Sequence, residues 1–217
     1  MDSVDYCVAH SSPIPEPLVA LRQAIEQTLP EQAHNMLSVQ AGQTLALCLR
    51  LFQPTAILEI GTFAGYSTLW MALATSAHIT TLDRSDGGIP LARQFWRQAG
   101  VEERISFVAS EATTHLQALK ESARSFDCFF IDASKKDLQR HVEKCMALRS
   151  EGRCLLVVDN VLGFKGHSVL DSSHRLIQKI TEFNHWLKSV ADLSVTLLPV
   201  GDGLAVCYIP ASIPPVK

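Results

Sequence analysis

Two unbroken apolar runs in this 217-residue chain each end in an acid: FDCFFIDASK carries Asp132 and CLLVVDN ends at Asp159-Asn160. Short runs rich in Val, Ile, Leu, Phe and Cys read as parallel strands buried on both faces. The carboxyl ends of such strands are where open α/β sheets bind their ligands. Two carboxylates and an amide carbonyl form an oxygen set for a hard cation, and Lys135 lies three residues past the first acid. Together they suggest metal-assisted chemistry on a small oxygen nucleophile. Each residue also has a plainer use. Either acid could be the N-cap of a following helix, and an isolated lysine is more often solvated. Asp159 next to Asn160, with Lys135 beside Asp132, favours the site.

A second constellation lies upstream. ILEIGTFAGYST sets Gly61 and Gly65 between a buried strand and a helix start. Glycines there permit a tight turn and close approach of backbone to a ligand. The G-x-x-x-G spacing departs from the dinucleotide fingerprint, which argues against a nicotinamide carrier. Glu59 sits inside the strand and needs a cationic or hydrogen-bonding partner. Asp83 ends the next strand, where ribose hydroxyls are accepted in nucleotide-binding α/β folds. Glu59, Gly61, Gly65 and Asp83 together suggest a nucleoside with a compact cationic tail, which S-adenosylmethionine fits better than a pyrophosphate carrier. The plainer alternative is a turn that needs glycine for packing, with Asp83 as a helix cap.

These residues require strands alternating with helices. The segments AILEI, ITTLD, ISFVA, FDCFFID and CLLVVDN read as strands, each followed by a turn and a further element. Helices are expected at STLWMALATS, IPLARQFWRQAG, THLQALKESA, DLQRHVEKCMALRS and SSHRLIQKITEFNHWLKSV. SVTLLPV and GLAVCYI close the chain as an antiparallel hairpin turned at Gly201-Asp202-Gly203. Ahead of the alternation, Pro17–Leu29 and Met36–Leu51 read as helices of a cap spanning residues 16–53, with Leu37, Leu45, Leu47, Leu49 and Leu51 as apolar positions. Residues 1–15, rich in Pro and Ser, read as loose. The whole predicts one domain over residues 1–217, an α/β, doubly wound, Rossmann-like sheet of seven strands.

Bulk properties fit a core-forming chain with no broad nucleic-acid footprint: 47% of residues are hydrophobic and the net charge is −3. The six cysteines are scattered, and Cys128, Cys154 and Cys207 lie inside apolar runs, as reduced buried thiols do. The first residues are polar and acidic rather than signal-like, and no stretch reaches the roughly 18 apolar residues of a membrane span. A cytoplasmic protein without membrane contact is expected.

The pieces ILEIGTFAGYST, TLDRSDGGIPLARQFWRQAGVEERISF, FIDASKKD, VVDNVL and LLPVGDGLAV occur in that order. They resemble the cation-dependent class I O-methyltransferases, the group containing caffeoyl-CoA and catechol O-methyltransferases and their small bacterial relatives. The resemblance runs from Met36 to Ile209. It implies strand order 3-2-1-4-5-7-6 with the last strand antiparallel. It makes Asp132, Asp159 and Asn160 ligands of a divalent cation, Mg²⁺ first, with Ca²⁺ or Mn²⁺ as alternatives. Lys135 is then the general base or an orienting cation, working beside Asp132. Leu37, Glu59, Gly61, Thr62, Gly65, Ser67, Asp83, Ala112 and Asp132 are expected around S-adenosylmethionine. A small phenolic substrate and a homodimer follow from the same resemblance.

The chain departs from that pattern at Ser110, where a glycine is expected, and at Ser134 and Leu138, where Asp and Tyr are usual. The loop VLGFKGHSVLDSSH lacks the substrate-binding pattern of the plant enzymes. These changes touch the pocket rather than the metal and lysine positions. Methyl transfer to a catechol-like phenol is therefore set beside three alternatives: methylation of a hydroxylated tRNA uridine, a nicotinamide-dependent oxidoreductase, and a silent binding protein on the same fold. The lack of a basic run argues against RNA. Phe164 could flank an aromatic substrate. His167 and His174 read as surface or satisfied histidines, and Trp70, Trp96 and Trp186 as core or interface residues.

Overall fold

In the computed structural model, residues 2–164, 166–170 and 174–213 are described. Seven strands form the central sheet: β1 (Ala56–Ile60), β2 (His78–Asp83), β3 (Ile105–Ala109), β4 (Cys128–Ile131), β5 (Cys154–Asp159), β6 (Ser194–Leu198) and β7 (Leu204–Ile209). Their order is β3-β2-β1-β4-β5-β7-β6, as expected. The first five are parallel, and β7 runs antiparallel to both β5 and β6. All four residues of β4 and all six of β5 are buried, which is why their sequences are unbroken apolar runs rather than alternating ones. A short ribbon pairs Gly163–Phe164 with His167–Ser168 after β5.

Eight α-helices accompany the strands among the described residues: α1 (Ser3–Ala9), α2 (Glu16–Thr28), α3 (Val39–Phe52), α4 (Tyr66–Ala74), α5 (Ile89–Gln98), α6 (Ala112–Glu121), α7 (Leu138–Met146) and α8 (Arg175–Ser189). Residues 172 and 173, expected at the head of the last helix, lie outside the described residues. The helix start after them is set by His174, whose side chain accepts the Leu176 N–H.

One reading changes. Part of the segment expected to be loose is helical. Asp2 accepts the Asp5 N–H and caps α1, and Gln40 and Gln43 of α3 donate to the carbonyls of Val4 and Ser12. In α3 the leucines divide. Leu45 and Leu49, four residues apart, are wholly buried, whereas Leu47 and Leu51 are 57% and 75% exposed. At 100° per residue the two pairs occupy opposite faces of the helix, so a leucine-rich segment is not uniformly core.

Register positions the acids. Ile131 pairs with Val158, so Asp132 and Asp159 emerge side by side from β4 and β5. Ile60 pairs with Ile131 and with Leu82, so Gly61 emerges between Asp132 and Asp83. Chain order reverses at β1, whose neighbours are β2 and β4. This is the switch point at which open α/β sheets leave a crevice.

Candidate active site

A cleft of about 870 Å³ opens over this edge, lined among others by Gly61, Phe63, Asp83, Asp132, Lys135, Asp159, Asn160 and Phe164. Neither acid caps a helix. α7 begins at Leu138 behind Asp137, and Asp159 is followed by the ribbon. Lys135 is 6% exposed. Its Nζ donates to Asp132 Oδ1 at 3.2 Å, contacts the Asp159 carbonyl oxygen at 3.5 Å, and stands 5.9 Å from the Phe164 ring centre. Asn160 adopts φ +58°, a left-handed conformation that Asn tolerates better than most residues; it ends the strand and turns the chain.

Asp159 is 4% exposed. Burial, followed by the charge of Asp132, pushes its carboxyl up to about 8, against the pull of Lys135 and the Asn160 N–H. Two neighbouring acids of which one is buried call for positive charge. Lys135 supplies one such charge. Among the described residues no group of three or more His, Cys, Asp or Glu side chains is placed to hold a metal. The set here is two carboxylates and an amide, and that chemistry fits a hard divalent cation.

The glycine turn is built around Asp83. Its Oδ2 accepts the N–H groups of Thr62 at 2.9 Å and Phe63 at 2.8 Å, and Oδ1 accepts the Ser85 N–H at 3.1 Å. Asp83 is thus a brace for the turn rather than a helix cap, and it still lines the cleft. Gly61 has φ +101°, and a Cβ there would lie 1.9 Å from the Asp132 carbonyl oxygen. Its glycine lets β1 and β4 converge. Gly65 answers to packing: a Cβ would meet Trp96 at 2.5 Å, and the Trp96 indole N–H donates to the Gly65 carbonyl.

Glu59 is fully buried. Ser67 and Thr68 hydroxyls each donate to it at 2.5 Å. Burial dominates these bonds and pushes its carboxyl up to about 7, with a smaller contribution from the Asp132 charge. Glu59, Thr62, Gly65 and Ser67 do not line the cleft; they form the hydrogen-bonded layer that shapes the turn. Leu37 is likewise buried in the core, while its neighbours Met36 and Ser38 line the cleft. This stretch is extended at Met36 and Ser38, so successive side chains point to opposite sides.

Ala112 lines a second, smaller cleft of about 260 Å³, together with Gly61, Asp83, Ser110, Asp132, Ser134 and His141. Gly61, Asp83 and Asp132 belong to both clefts, which join into one elongated depression. His141 is a residue the sequence reading missed. It lies on the buried stripe of α7 with Leu138, Val142 and Cys145; a lone polar residue on an otherwise apolar helical face was the available signal. Of the departures, Ser134 is exposed in the clefts, Ser110 is at the smaller one, and Leu138 is buried core. His167 and His174 stack with ring centres 4.2 Å apart. Trp70 and Trp96 are buried and Trp186 is partly so.

Comparison with known proteins bears on this arrangement. The sequence profile of a family described as O-methyltransferase matches residues 8–209. A caffeoyl-CoA O-methyltransferase of Populus kitakamiensis is 30% identical over 202 residues, 88% of this chain and 86% of that protein. A catechol O-methyltransferase of Niastella koreensis is 32% identical over 198 residues, 86% of this chain and 88% of the relative. Among solved structures, an O-methyltransferase of Streptomyces achromogenes involved in tomaymycin synthesis, in complex with SAM, superposes with a TM-score of 0.80 at 28% identity, covering 95% of each chain. An O-methyltransferase of Bacillus cereus in complex with SAH gives 0.82 at 25% identity, covering 95% of this chain and 96% of that one.

Proposed function

The chain belongs to the O-methyltransferase family, and from that premise we propose that it moves the methyl group of S-adenosylmethionine to a hydroxyl of a catechol-like small phenol, with a divalent cation in the site. One observation carries the reading. Asp132 is shared between the two clefts, so a donor braced at Gly61 and Asp83 and an acceptor at Asp132, Asp159 and Lys135 meet at one residue.

Asp132, Asp159 and Asn160 would hold the cation, Mg²⁺ with Ca²⁺ or Mn²⁺ as alternatives. When bound, such an ion supplies Lewis acidity that favours ionisation of a phenol near neutral pH. The protein's own residues do the rest. Lys135, buried and hydrogen-bonded to Asp132, stabilises the phenolate charge as an orienting cation; as a general base it would first have to lose the proton it donates. Phe164 walls the acceptor side with an aromatic face. Asp83 accepts ribose hydroxyls through lone pairs left over from the turn. The phenolic proton passes to water in the open cleft, the phenolate oxygen attacks the methyl carbon in line, the carbon–sulfur bond breaks, and the sulfur leaves as neutral S-adenosylhomocysteine. Holding oxygen, carbon and sulfur in line supplies much of the rate.

The same proposal makes the protein a homodimer in the cytoplasm. Exposed Leu47, Leu51 and Tyr208 support self-association; Phe52, at the end of α3, contacts the Tyr208 ring. Among the described residues no helix is long and apolar enough to cross a membrane. The test is a radiolabelled methyl-transfer assay on catechols, flavonoids and undermodified tRNA. Catechol methylation lost with EDTA and restored by Mg²⁺ is expected. Labelling of tRNA alone would overturn the substrate class, and EDTA-insensitive turnover would overturn the cation.

A further inference from the structure

The wall of the smaller cleft holds a buried polar side chain, His141, outside the two acids and Lys135. His141 is 2% exposed, and neither ring nitrogen has a hydrogen-bond partner among the described residues. Leaving a buried polar atom unpaired is costly, so native structures rarely keep one without a use. The ring lies at the wall of the cleft that also holds Ser110 and Ala112. That cleft joins the larger one at Asp83, so a nucleoside whose ribose sits at Asp83 can extend its base along either cleft. The larger cleft leads to the two acids and Lys135. The smaller one leads to His141.

We propose that His141 hydrogen-bonds the adenine of the methyl donor and so reads its base. The assignment rests on the proposed use of S-adenosylmethionine. Burial lowers the affinity of the ring for a second proton, with Asp137 and Glu111 opposing and Arg84 and Arg140 reinforcing that effect. The imidazole is therefore neutral at pH 7, with one N–H and one lone pair. Either can face a purine edge, which alternates an amino donor with ring-nitrogen acceptors. Ser110, beside Ala112, widens the polar character of the same wall; its hydroxyl donates to the Glu111 carbonyl at 3.3 Å.

The test separates the base from the rest of the donor. S-adenosylhomocysteine and S-ribosylhomocysteine, which lacks the base, are titrated calorimetrically into the full chain and into His141→Phe. The variant should bind S-adenosylhomocysteine about tenfold more weakly and S-ribosylhomocysteine as before, and His141→Gln should recover part of the loss. Equal losses for both ligands, or none, would overturn the assignment. Should His141→Phe fail to fold, the ring nitrogens of the unaltered protein, labelled with ¹⁵N-histidine, decide: the His141 signals should shift with S-adenosylhomocysteine and not with S-ribosylhomocysteine, and an unmoved signal overturns the idea. Asp83→Asn distinguishes the levels of failure. Weakened binding of both ligands there, with His141→Phe inert, sinks only the histidine. Absence of S-adenosylhomocysteine binding to the unaltered protein sinks the donor assignment as well.

Discussion

Lys135 Nζ lies 3.2 Å from Asp132 Oδ1, and the lysine is almost wholly buried. Three residues apart in sequence, they meet because Asp132 falls one residue beyond the end of β4 and the chain then turns toward α7. The ammonium also reaches the Asp159 carbonyl, so one cation spans the ends of two adjacent strands. Under the proposed function, an ammonium placed this way would hold negative charge on the acceptor oxygen.

Replacing Lys135 should therefore affect the chemical step. Lys135→Ala is expected to lower kcat about 100-fold, within the range for a group acting on a reacting proton or charge, and to change the KM for S-adenosylmethionine little. Steady-state kinetics with each substrate varied in turn would check this; unchanged kcat removes the lysine from the reaction.

Asp159 should be needed for activity and not for folding. We expect Asp159→Ala to abolish cation-dependent methyl transfer while the far-ultraviolet circular dichroism is retained. A variant fully active in EDTA would show that the acid does not hold a cation.

The buried Glu59 makes stability depend on pH. Its carboxyl is pushed up from 4.5 to about 7, so the folded protein binds a proton that the unfolded chain has released. The stabilisation is complete below about pH 4.5 and is lost as pH rises through about 7, a change on the order of 3 kcal/mol. Glu59→Gln should flatten this part of the pH profile. Denaturant midpoints between pH 4.5 and 8, measured in EDTA for both proteins, test it; parallel profiles would exclude Glu59 as the source.

Gly61 tolerates no side chain. With φ +101° and a Cβ 1.9 Å from the Asp132 carbonyl oxygen, Gly61→Ala must push β1 and β4 apart. A loss of at least about 3 kcal/mol of stability is expected, together with a disturbed Asp132. Thermal unfolding of the variant at unaltered midpoint would contradict the close approach.

Asp83 braces the turn through the Thr62 and Phe63 N–H groups. Asp83→Asn keeps one acceptor oxygen and should weaken S-adenosylhomocysteine binding about tenfold, with kcat at saturating donor changed less. Calorimetry and saturation kinetics together read this split.

Much of the architecture was legible because it rests on local pattern. Fully buried strands must be apolar throughout, and β4 and β5 stand out for that reason. The resemblance carried the strand order, which pairing in the structure matches. Where side chains point was less legible. Leu47 and Leu51, apolar positions of the expected cap helix, face outward; Leu37, expected around S-adenosylmethionine, is buried in the core; and Ser3–Ala9, within the segment read as loose, is capped into a helix by Asp2. Each difference turns on helical phase, on the alternation of an extended stretch, or on a single capping bond, which residue type alone does not specify.

The sequence by itself determined which side chains were available: acids at the ends of buried strands, glycines where the chain must turn, and a lysine within reach. These follow from burial and backbone sterics, which act residue by residue. Only the tertiary structure decided which of them meet. Register between β4 and β5 sets Asp132 beside Asp159, the close passage of β1 needs Gly61 bare, and Asp83 is drawn into bracing the turn. The same long-range packing left His141 buried beside the smaller cleft, without a hydrogen-bond partner among the described residues. Contacts between residues far apart in the chain depend on how elements pack, and no local pattern encodes that.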